Sequence, residues 1–232
     1  MFDDLAVSLR GGDWTCLLGP SGVGKSMLLR MILGLSQNGV VSSGDVVCSD
    51  DQDLVGRVSY MAQQDLLYPW LTVLENVCLG ARLRGARESG RPAECLDMGR
   101  RYLEDVGLAG YERALPRTLS GGMRQRAALA RTLVENRPVV LMDEPFSALD
   151  AITRVRLQDM AVVALRGRTV LLVTHDPLEA LRLGHNIHVM SGRPAVLDDP
   201  LQITTARPRR VDDVNILALQ GELLRRLSEA AG

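Results

Sequence analysis

Residues 19–26, Gly19-Pro20-Ser21-Gly22-Val23-Gly24-Lys25-Ser26, fit the spacing G-x-x-x-x-G-K-[ST], and no other stretch constrains the fold as tightly. Glycines at the first, fourth and sixth positions let the backbone curl until several N–H groups converge on one anion. The N-terminus of a following helix adds its positive end. Such a loop needs a buried strand before it and a helix after it. Trp14-Thr15-Cys16-Leu17-Leu18 is the apolar run expected of the strand, and residues 27–33 read as the helix. Lys25 is then placed to reach terminal phosphates, and the Ser26 hydroxyl to help hold Mg²⁺. The order differs from G-x-G-x-x-G, which disfavours a dinucleotide fold.

Usage of basic residues singles out the same position. Of 27 Lys and Arg residues, Lys25 is the one lysine. A chain that uses Arg wherever else it wants a cation keeps a compact ammonium on a slim stem where a planar fork does not fit.

A second apolar run, residues 138–142, ends in Asp143-Glu144-Pro145. Adjacent carboxylates at the C-terminal edge of a strand sit where an α/β sheet places its ligands. Asp143 suits Mg²⁺ through water, and Glu144 could polarise a water for attack on a γ-phosphate. At this point the residues fit a Mg²⁺-dependent ATPase or GTPase, or a small kinase.

Leu119-Ser120-Gly121-Gly122-Met123-Arg124-Gln125-Arg126 opens a helix whose apolar positions include Ala127, Leu129, Ala130, Leu133 and Val134. Ser120 with two glycines makes a second anion-binding helix end. Two such ends, far apart in sequence, allow two copies to close head to tail around shared nucleotides. The chain here resembles the ATP-binding subunits of ABC transporters, whose signature is LSGGQ, with Met123 at the last motif position. Gln63 matches that family's Q-loop, Ser147-Ala148-Leu149-Asp150 its D-loop, and His175, after the run Thr169 to Val173, its switch histidine. The resemblance extends over roughly residues 1–200.

The resemblance implies an α/β fold: a P-loop (RecA-like) ATPase core with a parallel sheet and an inserted α-helical subdomain. Residues 19–26 would bind ATP, and Ser26, Gln63 and Asp143 would arrange Mg²⁺. Glu144 would be the general base and His175 the γ-phosphate sensor, while Ser120, Gly121, Gly122 and Asp150 would complete the opposite subunit's site. It also implies an aromatic that stacks on adenine from a strand before the loop. Only 18 residues precede Gly19, and Phe2, the sole aromatic before Trp14, comes too late. The expectation is therefore a missing first strand, through truncation or a start at an internal Met.

The remaining sequence fits one ATPase domain over 1–232, with a helical lobe over about 72–134 and a helical tail over about 203–232. Residues 36–62 read as turns and a strand, with residues 55–60 strand-like. In the lobe, Arg82, Arg84, Arg87, Arg91, Arg100 and Arg101 alternate with Glu88, Glu94 and Asp97, as on a solvated helix face. In the tail, Val214, Leu217, Leu224 and Leu227 mark an amphipathic helix packed on the core.

A net charge of −1 argues against a nucleic-acid partner. No run of 18 apolar residues is present, so a transporter subunit of this kind borrows its span from integral-membrane permease subunits. The acidic start, Met1-Phe2-Asp3-Asp4, lacks the order of a signal peptide. Cys16, Cys48, Cys78 and Cys95 are spaced as reduced thiols. Together with the resemblance, these features place the chain in the cytoplasm, peripheral on the inner face of the membrane. A solute-binding protein would be an indirect partner.

The stretch from Gln63 to Val77, with Pro69-Trp70, looks like importers for nitrate, sulfonates, taurine and the hydroxymethylpyrimidine precursor of thiamine, most of all the last. Pro69-Trp70 also fits a plain turn with an aromatic anchor. An exporter subunit remains an alternative. A DNA-associated ATPase of the same core is disfavoured by the short gap between Gln63 and Ser120 and the absence of Cys pairs.

Overall fold

The computed structural model describes residues 2–35, 44–84 and 92–231. In chain order these form β1 (Trp14–Leu18), α1 (Lys25–Ile32), β2 (Val58–Met61), α2 (Val73–Val77), α3 (Leu79–Arg84) and α4 (Pro92–Asp105). Then follow α5 (Gly121–Val134), β3 (Val139–Asp143), α6 (Ala151–Ala164), β4 (Thr169–Val173) and α7 (Pro177–Leu183). The chain ends with β5 (Asn186–Ser191), β6 (Val196–Leu197), β7 (Leu201–Gln202) and α8 (Val214–Ala231). They fall into two compact units: residues 1–58, 137–144 and 166–232 in one, 59–136 and 145–165 in the other.

The first unit is built on a sheet in which β3, β4, β1 and β5 lie side by side and parallel. Strands in such a sheet are covered on both faces and read as unbroken apolar runs. Trp14, Cys16 and Leu18 are fully buried, as are Leu141, Met142, Leu172 and Val173. Each large side chain of this kind contributes about 1.5–3 kcal/mol by leaving water. Beyond β5 the sheet ends in two short antiparallel strands, β6 and β7.

Register fixes the functional edge. Leu17 of β1 lies opposite Val173 of β4, which lies opposite Asp143 of β3. Three strands therefore end at one level, and the residues that follow them, 19–26, Glu144 and His175, emerge at the same carboxyl edge. Thr174 donates its N–H to the Leu17 carbonyl at 3.1 Å, and Glu144 donates its N–H to the Val173 carbonyl at 2.9 Å.

The second unit packs α2, α4 and α5 together. Ala127, Ala128 and Ala130 are fully buried on α5, small enough to let neighbouring helices approach. Ser120 caps α5 by accepting the Met123 N–H at 3.2 Å, and Asp150 caps α6 by accepting the Thr153 N–H at 3.0 Å. Thr72 and Glu75 form a reciprocal capping box on α2.

Several expectations need correction. The strand read over residues 55–60 is Val58–Met61, because Gly56 (φ 76°) turns the chain and leaves Val55 90% exposed. On α8, Val214, Leu217 and Leu224 face outward. Ile216 and Leu223, two positions on from Val214 and six from Leu217, are buried instead, where the helix lies against α7 and β5. Trp70 anchors nothing: it is 71% exposed and rests tilted on Tyr68, ring centroids 5.2 Å apart. The turn is held by fully buried Asn76, whose Oδ1 accepts the Tyr68 N–H at 2.7 Å. Its Nδ2 donates to the carbonyls of Tyr68, Leu71 and Thr72.

In the arginine run, Arg82 pairs with Glu75, Arg84 with Glu135 and Arg100 with Asp97. Arg87, Glu88 and Arg91 lie outside the described residues. Cys16, Cys78 and Cys95 are buried free thiols, and Cys48 is half-buried.

Candidate active site

Gly19 is where β1 must turn. Its φ of 150° and its approach to β5 both exclude a side chain, because a Cβ would collide with the Met190 carbonyl oxygen. Pro20 and Ser21 continue the loop, Gly22 (φ 79°) reverses it, Val23 tucks under it, and Gly24 opens α1. Lys25, the first residue of α1, is only 7% exposed. Its Nζ donates to the carbonyls of Gly19 at 2.7 Å and Pro20 at 2.9 Å. An ammonium has three donors, so one remains for a ligand at the loop. Burial pulls the Lys25 pKa down, and the carboxylates of Glu144 and Asp143 oppose that pull.

Asp143 ends β3 and is 2% exposed. Burial pushes its carboxyl above the usual range; a hydrogen bond from the Ser26 side chain opposes the rise, and Glu144 adds to it. Its Oδ1 is buried with no hydrogen-bond partner. A buried, unsatisfied carboxylate oxygen beside a serine hydroxyl suits a hard cation that keeps several waters and takes few protein ligands. Among the described residues no three His, Cys, Asp or Glu side chains form a metal cluster.

Glu144 adopts a left-handed backbone (φ 50°), a conformation an unbranched carboxylate side chain tolerates at a cost of about 1–3 kcal/mol. The twist accompanies a carboxylate Oε2 that lies 3.2 Å from His175 Nδ1. His175 is 60% exposed at its side chain, so carboxylate and imidazole meet at the open rim of the edge. Asp176 follows it and caps α7 by accepting the N–H groups of Leu178 and Glu179. Lys25, Ser26, Asp143, Glu144 and His175 thus belong to one carboxyl edge of one sheet.

The other expected residues lie in the second unit. Gln63 is exposed and lines a cavity of about 420 Å³ together with Asp65, Leu66, Gly121, Arg124, Gln125 and Ser147. Ser120 and Gly121 are exposed at the positive end of α5. Asp150 is exposed, and the Thr153 N–H it accepts holds its carboxyl below the usual range. Sequence reading passed over Gln125 and Asn76, polar side chains buried among apolar ones. Gln125 showed only as a Gln two positions beyond Met123 in the apolar-periodic helix.

A phosphate-cradling loop, a buried carboxylate with a free oxygen and a carboxylate-imidazole pair at one sheet edge define a nucleotide-dependent α/β protein. The chain belongs to the ABC transporter family, whose sequence profile matches residues 2–147. It is similar to an uncharacterised ABC transporter ATP-binding protein of Haemophilus influenzae, 41% identical over 98% of this chain and 92% of that protein. It is also similar to an aliphatic sulfonates import ATP-binding protein of Rhodococcus jostii, 45% identical over 98% of this chain and 87% of the relative. Its fold matches a dimeric ATP-binding cassette in a post-hydrolysis state with ADP and Pi, with a TM-score of 0.75 and 28% identity. That match covers 88% of this chain and 91% of the other. No helix among the described residues is long and apolar enough to cross a membrane.

Proposed function

We propose that the chain is the ATP-binding and ATP-hydrolysing subunit of a bacterial ABC importer for small solutes, of the aliphatic-sulfonate class. The observation that carries this is the shared carboxyl edge of β1, β3 and β4, where Lys25, Asp143, Glu144 and His175 converge. The names of the relatives favour sulfonates over the pyrimidine precursor, and import over export.

In this reading residues 19–26 bind the triphosphate of ATP, with the Lys25 ammonium on its terminal oxygens. Glu144 accepts a proton from the attacking water, and His175, bonded to the Glu144 carboxylate, senses the γ-phosphate. Ser26, Gln63 and Asp143 would hold Mg²⁺, which would supply charge neutralisation for the triphosphate. Two copies close head to tail, and Ser120, Gly121, Gly122 and Asp150 of each complete the site of the other. One similar ATP-binding cassette is a dimer in both of its solved structures. We assign residues 1–232 to one ATPase domain, with 72–134 its helical lobe and 203–232 its tail.

The importer's membrane span belongs to partner permeases docked at the cytoplasmic face, with a solute-binding protein supplying cargo from the other side. Exposed Leu66, which lines the same cavity as Gln63, and exposed Tyr68 and Trp70, which follow it in the chain, suit an apolar permease segment. The test is uptake of radiolabelled ethanesulfonate in cells deleted for this chain alone, with the permease and solute-binding protein left in place. Restoration by the intact chain and not by Glu144→Gln is expected. Unchanged uptake after deletion would remove the sulfonate assignment.

A further inference from the structure

Gln125 sits one turn into α5 and is 6% exposed, a position a primary amide occupies only when its polar atoms are matched. Its Oε1 accepts the Ala148 N–H at 2.9 Å, and its Nε2 lies 3.4 Å from the Ser147 Oγ. Gly122, three residues earlier on α5, meets the same segment: a Cβ there would stand 3.2 Å from the Ala148 carbonyl oxygen. Arg154 of α6 donates to the Leu149 carbonyl at 3.0 Å, and Asp150 caps α6. Residues 147–150 are therefore not an independent loop. They hang on the first turns of α5 and continue directly into α6.

The neighbouring residue makes the matching link elsewhere. Arg124 donates to the Asp65 carboxylate at 2.9 Å and to the Leu119 carbonyl at 2.9 Å. Arg131 donates to the carbonyls of Asp65 and Leu66 at 2.7 Å and 2.9 Å. The segment after Gln63, the anion-binding end of α5 and residues 147–150 thus form one hydrogen-bonded piece within the second unit, joined through consecutive side chains of α5.

We infer that Gln125 is a positioning residue: it holds residues 147–150 in register with Ser120, Gly121 and Gly122, so that both segments reach the partner copy's nucleotide together. The inference rests on the dimeric reading above. Gln125 is buried behind the segments it aligns, so its effect on chemistry passes through them. Affinity for ATP belongs to residues 19–26. Alignment for turnover belongs to the amide, and small misalignments of a reacting geometry cost rate far more than binding.

The test uses the full chain with Gln125→Leu and Gln125→Glu, followed by steady-state ATPase and thermal melting. Leucine keeps the bulk and loses the hydrogen bonds to Ala148 and Ser147. Glutamate keeps an oxygen for the Ala148 N–H and offers the other to the Ser147 hydroxyl. Gln125→Leu is expected to lower kcat about tenfold or more with KM for ATP within twofold, by analogy with other misaligned sites. Gln125→Glu should recover most of that loss. A kcat for Gln125→Leu within twofold of the parent overturns the inference. So does a joint fall of kcat, KM and melting temperature in both variants, which assigns the amide to stability alone. Failure of the dimeric reading shows separately: the parent chain would not turn over ATP, and Glu144→Gln would not dimerise with it.

Discussion

Replacing Lys25 with Arg retains the charge and tests whether the loop needs this side chain's shape. Lys25 is 7% exposed, and its Nζ lies between two carbonyls 2.7 and 2.9 Å away, where one nitrogen satisfies both. A guanidinium is planar and wider; with its fork it cannot bridge Gly19 and Pro20 and still present a donor to the phosphate. The lost contact is a hydrogen bond to a charged group, about 1.5–3 kcal/mol. At about 1.4 kcal/mol per decade, Kd for ATP should rise roughly 10- to 150-fold. Calorimetric titration of Mg²⁺-free ATP into the parent, Lys25→Arg and Lys25→Ala chains measures this, with melting curves to verify folding. Lys25→Ala should be at least as weak as Lys25→Arg. A folded Lys25→Arg chain that binds ATP like the parent would refute the argument from shape and from the solitary lysine.

Asn76→Ala removes the side-chain partner of the Tyr68 N–H and of the Leu71 carbonyl, while the Tyr68 and Thr72 carbonyls keep the backbone N–H groups of Leu71 and Asn76. The expected cost is about 2–5 kcal/mol, read as a lower urea midpoint and as faster proteolysis beside Trp70. On α8, Leu223→Ala should destabilise by about 2–5 kcal/mol and Leu224→Ala by less than about 1 kcal/mol; the reverse order would turn the helix over. His185 Nδ1 accepts the Trp14 N–H at 3.0 Å, which only the neutral ring can do; burial and Arg207 lower its pKa against the opposing pull of the Asp13 carboxylate, whose Oδ1 lies 3.0 Å from the same nitrogen. The unfolded chain then takes up the proton first. Stability is complete above about pH 6.5 and falls as pH drops toward the lowered folded value. Urea midpoints between pH 7.5 and 5.5 should show that decline, and His185→Gln should shrink it; an unchanged slope would exclude His185 as its source.

Much of the fold is legible because its signals are local. Strand bounds at Trp14–Leu18 and Thr169–Val173 follow from short apolar runs flanked by polar residues, and the start of α5 from a Ser that can cap and glycines that cannot obstruct. The common level of Gly19, Glu144 and His175 is not local. It depends on register among three strands, two of them over a hundred residues along the chain from the first, and the sequence places those residues only as ends of runs. The left-handed backbone of Glu144 is likewise invisible in its side chain. On α8 two apolar sets share the same helical segment. Which one meets the core is decided by α7 and β5, so Ile216 and Leu223 rather than Val214 and Leu224 are covered. Gln125 and Asn76 are polar residues whose burial makes sense only once their partners, from 4 to 23 positions away, are in place.

The central claim is that the carboxyl-edge site hydrolyses ATP in a closed dimer, with Glu144 as the base. Light scattering on the Glu144→Gln chain, with and without Mg²⁺-free ATP, addresses it directly. That variant keeps Lys25 and the phosphate loop but loses the group that takes the proton from water. The account predicts a shift from monomer to dimer on adding ATP, with turnover nearly abolished. A Glu144→Gln chain that stays monomeric with ATP, or hydrolyses it at the parent rate, would contradict the account.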